Sequence, residues 1–235
     1  MTVRLLLRYF PIVLFVLCPA AFAADDISTP DTYKVTMQKV ELCTSSACTT
    51  STTLAESSAT FDIASKDAGA AVGTWIKNFA LDVGTTYTHL KTTISSTFTI
   101  SGSTTNSNIA SGFCVTRSSP STSSDHAVAA ITAGSASASP SEMSWTVPNM
   151  LDANNGSFYG DLSSDYSTNG ITKADGSASF TWVGALTKSY TPTPSSSPQI
   201  TISFDVSNQF RSNQQGADAC FVYVLPPSVS VSLTD

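Results

Sequence analysis

An antiparallel, all-β sandwich of jelly-roll-like or immunoglobulin-like type, with little helix, is the fold class this sequence predicts. Three observations lead there. Residues 85–101, TTYTHLKTTISSTFTIS, alternate: Leu90, Ile94, Phe98 and Ile100 share one face, while Tyr87, His89, Lys91, Thr93, Ser95, Thr97 and Thr99 share the other. At about 3.3 Å per residue such a strand runs on the order of 50 Å, so it is expected to bend or to serve two neighbours along its length. Serine and threonine make up about three residues in ten, the usual dress of exposed strands and loops. Short alternating runs separated by Gly, Pro, Asn and Ser clusters recur along the rest of the chain.

The N-terminus reads as a secretory signal peptide over residues 1–23. Arg4 and Arg8 precede a short apolar core, and Ala21-Phe22-Ala23 gives an A-x-A cleavage site, so the mature chain is expected to start at Ala24. Cys18 is flanked by Val16, Leu17 and Pro19 rather than by the small residues of a lipid-attachment site. No other apolar run is long enough for a transmembrane helix, so the protein is expected to be secreted or held at the cell surface. Loss of Arg4 and Arg8 takes the net charge from -6 to -8, an acidic balance with no nucleic-acid footprint. Residues 24–235 are expected to form one sandwich domain.

Four cysteines remain after cleavage: Cys43, Cys48, Cys114 and Cys220. An even count in an exported chain reads as two disulfides with three conceivable pairings. Cys43 with Cys48 and Cys114 with Cys220 is the favoured one. The first staples a hairpin tip, and the second closes a loop of about a hundred residues, worth ~4 to 5 kcal/mol in the chain-entropy model. A redox or metal role lacks a C-x-x-C motif and a histidine at ligand spacing.

Taken in order, the mature chain opens with an acidic leader and the strand TYKVTMQKVEL. Tyr33, Val35 and Met37 share one parity, Val40 and Leu42 the other, and this shift predicts a β-bulge near Gln38 and Lys39. Phe61 and Ile63 alternate next, whereas Trp75, Ile76, Phe79 and Leu81 fit a strand or a helical turn equally. After the long strand, Phe113-Cys114-Val115 restarts pairing. The Ser/Ala-rich tract 117–141 then reads as an interdomain linker or, the favoured reading, a long surface loop, with at best moderate β or turn character in its middle. Further strands follow around Met143, Trp145 and Val147, around Phe180 and Trp182, and along Ile200, Ile202, Phe204 and Val206. CFVYVL, the Pro226-Pro227 break and VSVSL close the chain, with Val229, Val231 and Leu233 aligned.

Chemistry is sparse. His89 shares a face with Tyr87 and Lys91, and His126 sits beside Asp125 and Ser124, but there is no G-x-S-x-G elbow and glutamate is scarce. No catalytic residue is therefore assigned, and no enzyme activity is expected. The one polar cluster of note holds Asp161, Asp165, Asn169 and Asp175. Asp165-x-Ser167-x-Asn169-Gly170 resembles the first half of a calcium loop, which makes these four the candidate metal ligands. Its closing carboxylate position is Gly176, and Asx-turns explain the same composition. No other cofactor is implied. Trp75, Trp145 and Trp182, with Tyr159 and Tyr166, are candidates for a glycan-stacking platform, although Trp145 and Trp182 fall on core parity.

The function expected is thus an exported, non-enzymatic structural or adhesive surface protein, an assembling appendage or coat subunit. The amphipathic terminal strands, residues 32–42 and 229–233, are the candidates for self-association by strand addition. In this the chain resembles the assembly logic of bacterial pilins. Its last residues, Ser232-Leu233-Thr234-Asp235, lack the glycine and penultimate tyrosine of chaperone-assembled pilins, so no family is assigned. The alternative is a secreted carbohydrate-binding module, calcium-assisted.

Overall fold

The computed structural model describes residues 26–65, 72, 75–76, 79–105, 113–118, 121–122, 129–132, 139–151, 161–214 and 219–235. The expected signal peptide, His126 and Tyr159 lie outside these residues. In chain order the strands are β1 (Asp26–Ser28), β2 (Thr32–Cys43), β3 (Ser51–Asp62), β4 (Tyr87–Ser95), β5 (Thr97–Ser101), β6 (Ser103–Thr105), β7 (Phe113–Val115) and β8 (Ser121–Thr122). Then come β9 (Ala129–Thr132), β10 (Met143–Thr146), the helix α1 (Ser163–Thr168), β11 (Ile171–Thr172), β12 (Ser179–Tyr190), β13 (Gln199–Asp205), β14 (Phe210–Gln214), β15 (Ala219–Val224) and β16 (Ser228–Thr234). Every paired strand is antiparallel, as alternation with short connections requires.

The long strand of residues 85–101 is the spine, and it both bends and serves two neighbours. It is β4 and β5, broken at Ser96. Along one side runs β2, with Leu42 opposite Leu90 and Tyr33 opposite Ile100. Along the other, β12 pairs with β4 and β10 pairs with β5. Ser96 manages the handover. Its N–H donates to Ala178 O, its carbonyl accepts from Val147 N–H, and its hydroxyl donates to Ser177 O at 2.8 Å. With those groups satisfied, the strand can change partners without leaving a buried polar atom unpaired.

β2 carries the bulge that its parity shift predicts. Its register against both β3 and β4 slips between Met37 and Lys39. One extra residue turns Val40 and Leu42 to the side that Val35 and Met37 occupy, and all four are buried. Phe98 gathers Tyr33, Trp145 and Phe180 at ring-centroid distances of 5.6, 5.8 and 6.1 Å. The ambiguous segment around Trp75 contains a helical turn, with Ile76 N–H donating to Val72 O.

The second layer is built on a ribbon in which β13 and β14 run antiparallel to β16 and β15. Residues 206–209 and 225–227 interrupt it, and Leu225 N–H to Gln209 O at 2.9 Å holds the two halves in line. The β14–β15 half joins a five-stranded sheet, β1-β14-β15-β9-β8, and the β13–β16 half is a two-stranded sheet. The tract 117–141 is therefore not all loop: it supplies β8 and β9, and β9 pairs with β15. The disulfides are Cys43–Cys48 at the β2–β3 tip and Cys114–Cys220, which ties β7 to β15.

Candidate functional site

On the polar face of the spine, Tyr87, His89 and Lys91 each have a different task. Tyr87 is 1 % exposed, its hydroxyl 2.8 Å from Thr52 Oγ1 and accepting from Asp82 N–H. His89 is half-buried with Nδ1 2.8 Å from Thr88 Oγ1. Lys91 lies 3.7 Å from Glu41, which also takes Lys39 at 3.3 Å and the Ser51 hydroxyl at 2.9 Å. Burial pushes the Glu41 pKa up, but Ser51 and the two lysines outweigh it and hold the carboxyl below its usual range. Glu41 is thus a buried charge held by two lysines and a serine hydroxyl.

Of the aromatic side chains expected to form a platform, Trp145, Tyr166 and Trp182 line one and the same cleft. Trp145 and Tyr166 are buried, and Trp75 leans on Phe61 at 5.6 Å while donating from Nε1 to Ser57 Oγ. Trp182 packs partly buried against the core.

The four candidate calcium ligands are positioned by α1 and the turns that flank it. Asp161 accepts from the Ser163 N–H and hydroxyl, which hold its carboxyl below the usual range. Asn169 donates its amide to Asp165 O, closing the helix, and Gly170 follows at φ +68°. Asp175 turns to the chain after β10 and accepts from Met150 N–H at 2.6 Å. The side chains of Asp161, Asn169 and Asp175 thus hydrogen-bond to the chain in the helix ends and turns. Among the described residues no three His, Cys, Asp or Glu side chains converge in a way that would hold a metal ion.

A second cluster escaped the sequence reading. Lys173 is 3 % exposed, its Nζ 3.1 Å from Asn149 Oδ1, and that same oxygen accepts from Gly176 N–H at 2.8 Å. Desolvation lowers the Lys173 pKa, with the Asp175 charge acting the other way. Tyr166 stands close enough to feel Asp175 too, donates to Pro148 O at 2.7 Å, and has its pKa raised by burial first and that charge second. A lysine in an Asp/Gly-rich tract ordinarily reads as a solvated charge. The available signal is its parity with Ile171, two residues earlier, which faces the core.

Between the two layers lies an apolar cleft of about 1250 Å³. Its walls include Ile94, Phe98 and Trp182 from the large sheet and Ile202, Phe204 and Val229 from the β13–β16 ribbon. Trp145 also lines it, and its buried Nε1 has no hydrogen-bond partner among the described residues. Among the described residues, β13 and β16 pair only with each other, so each leaves one edge outside any ladder. β2, by contrast, has β3 on one side and β4 and β5 on the other. Neither a family model nor any curated protein or solved structure matches the chain. Among the described residues no helix is long and apolar enough to cross a membrane.

Proposed function

We propose that this chain is exported by a cleaved signal peptide and serves as a non-enzymatic structural or adhesive surface protein, a subunit that assembles with copies of itself. The observation that carries this reading is the β13–β16 ribbon beside an apolar cleft: among the described residues β16 lies against β12, while the outer edge of β13 belongs to no ladder. At about 4.8 Å per strand, one added strand would extend the ribbon across the cleft and place alternate side chains in it. A carbonyl of that strand would be an acceptor for Trp145 Nε1. Two disulfides and a hydroxyl-rich exterior suit such a protein outside the cell.

Sedimentation of the mature, oxidised protein over a concentration series tests the reading. The expected result is concentration-dependent oligomers that Phe204→Asp abolishes while the β-sheet circular dichroism is kept. A monomer at every concentration, with glycan binding that a chelator removes, would replace it by the carbohydrate-binding alternative.

A further inference from the structure

We propose that Lys173 and Asn149 are joined by a side-chain amide bond, an internal cross-link that the protein forms on itself. The two groups are 24 residues apart in sequence, and the fold holds Nζ in a 3.1 Å hydrogen bond to Oδ1, the oxygen bonded to the carbon that would be attacked. Lys173 is buried, so bulk water has little access to the amine or to the amide it faces. The amine is the nucleophile.

The surroundings supply what acyl transfer from an amide needs. As Nζ adds to the Asn149 carbonyl carbon, negative charge builds on Oδ1, where the Gly176 N–H already points at 2.8 Å. A proton then has to pass from Nζ to the departing Nδ2. Asp175 is the carboxylate whose charge acts on Lys173, and Met150 N–H fixes its Oδ1 beside the residue that follows Asn149. It accepts the proton from Nζ and returns it to Nδ2. The Nζ–Cγ bond forms, the Cγ–Nδ2 bond breaks, and one ammonia leaves. The products are a secondary amide and ammonia, with no change of oxidation state. A buried charge is replaced by a neutral group, and the turn after β10 is fastened to the end of β11.

Intact-mass measurement of the purified, denatured protein reads the bond directly. The expected mass is one ammonia below that of the mature chain with two disulfides, with a proteolytic fragment in which the Asn149 and Lys173 peptides stay joined after reduction. Asn169-Gly170 can lose ammonia too, by closing to a succinimide, so the variants matter. Lys173→Arg and Asn149→Ala are each expected to restore the full mass, and Asp175→Asn to leave most of the protein uncross-linked. An unmodified wild-type mass, or an ammonia loss that persists in Lys173→Arg, would overturn the proposal. Full cross-linking in Asp175→Asn would overturn the proton-transfer role given to that carboxylate.

Discussion

Gly170 is the residue on which the α1–β11 corner turns. Its φ of +68° belongs to the left-handed region, and a Cβ there would lie 2.3 Å from Val183 O, a backbone atom that cannot swing aside. Val183 N–H also donates to Gly170 O at 2.9 Å, so the two backbones are locked together. Gly170→Ala is expected to destabilise by roughly 2 to 4 kcal/mol in urea unfolding, the sum of backbone strain and a displaced strand. Glu41 governs a pH response. Its folded pKa lies below the unfolded value, so its contribution is full above the unfolded carboxylate range. That contribution is lost as pH falls through the folded pKa. Glu41→Gln should lower stability near neutral pH by on the order of 1 kcal/mol and flatten the acid limb of a pH–stability curve. Equal slopes for the two proteins would show that other carboxylates carry the limb. Neither role was legible beforehand: Gly170 reads as half of a calcium loop, and Glu41 gains Lys91 only through the β2–β4 register.

At the scale of elements, alternation was the legible signal because a strand that buries one face must repeat every two residues. It located the spine, and its failure inside TYKVTMQKVEL located the bulge, since a parity change has no other inexpensive cause in a paired strand. Deleting Gln38 removes the extra residue and sends Val40 and Leu42 outward while Tyr33, Val35 and Met37 stay inward. That deletion is expected to leave no folded protein by circular dichroism, whereas Gln38→Ala shifts the melting temperature by only a few degrees. Pairings that depend on distant partners were not legible. Tyr87 has the parity of the outer face yet is buried, because Thr52 and the backbone of Asp82 close over its hydroxyl. The 117–141 tract gives two strands because β15 offers β9 an edge, which a Ser/Ala-rich composition does not reveal. The cleft belongs to the same class: each of its walls reads as core, and their separation exists only in three dimensions.

For the molecule as a whole, hydroxyl-rich composition and the four cysteines that follow the expected signal peptide made the disulfide-stapled sandwich legible, and both favoured pairs are present. What to expect of calcium follows from the partners of Asp161 and Asp175, whose carboxylates already accept hydrogen bonds from the chain. A chelator is therefore expected to leave the melting temperature unchanged, and a fall of several degrees would reinstate a bound cation. The two disulfides differ in reach. Cys114–Cys220 spans 106 residues and Cys43–Cys48 only 5. In the chain-entropy model their removal costs about 4 to 5 and about 2 kcal/mol respectively. The same difference sets an order in time. While the chain emerges amino end first, Cys43, Cys48 and Cys114 become available long before Cys220, and an oxidant met then has three thiols to choose from. A five-residue loop closes far more often than one that must reach Cys114, so the hairpin tip seals first and removes two competitors. Cys114 is left with a single correct partner still to come. Thiol trapping during oxidative refolding should find the short bridge alone at early times, and a chain without Cys48 should accumulate the mispaired Cys43–Cys114 form.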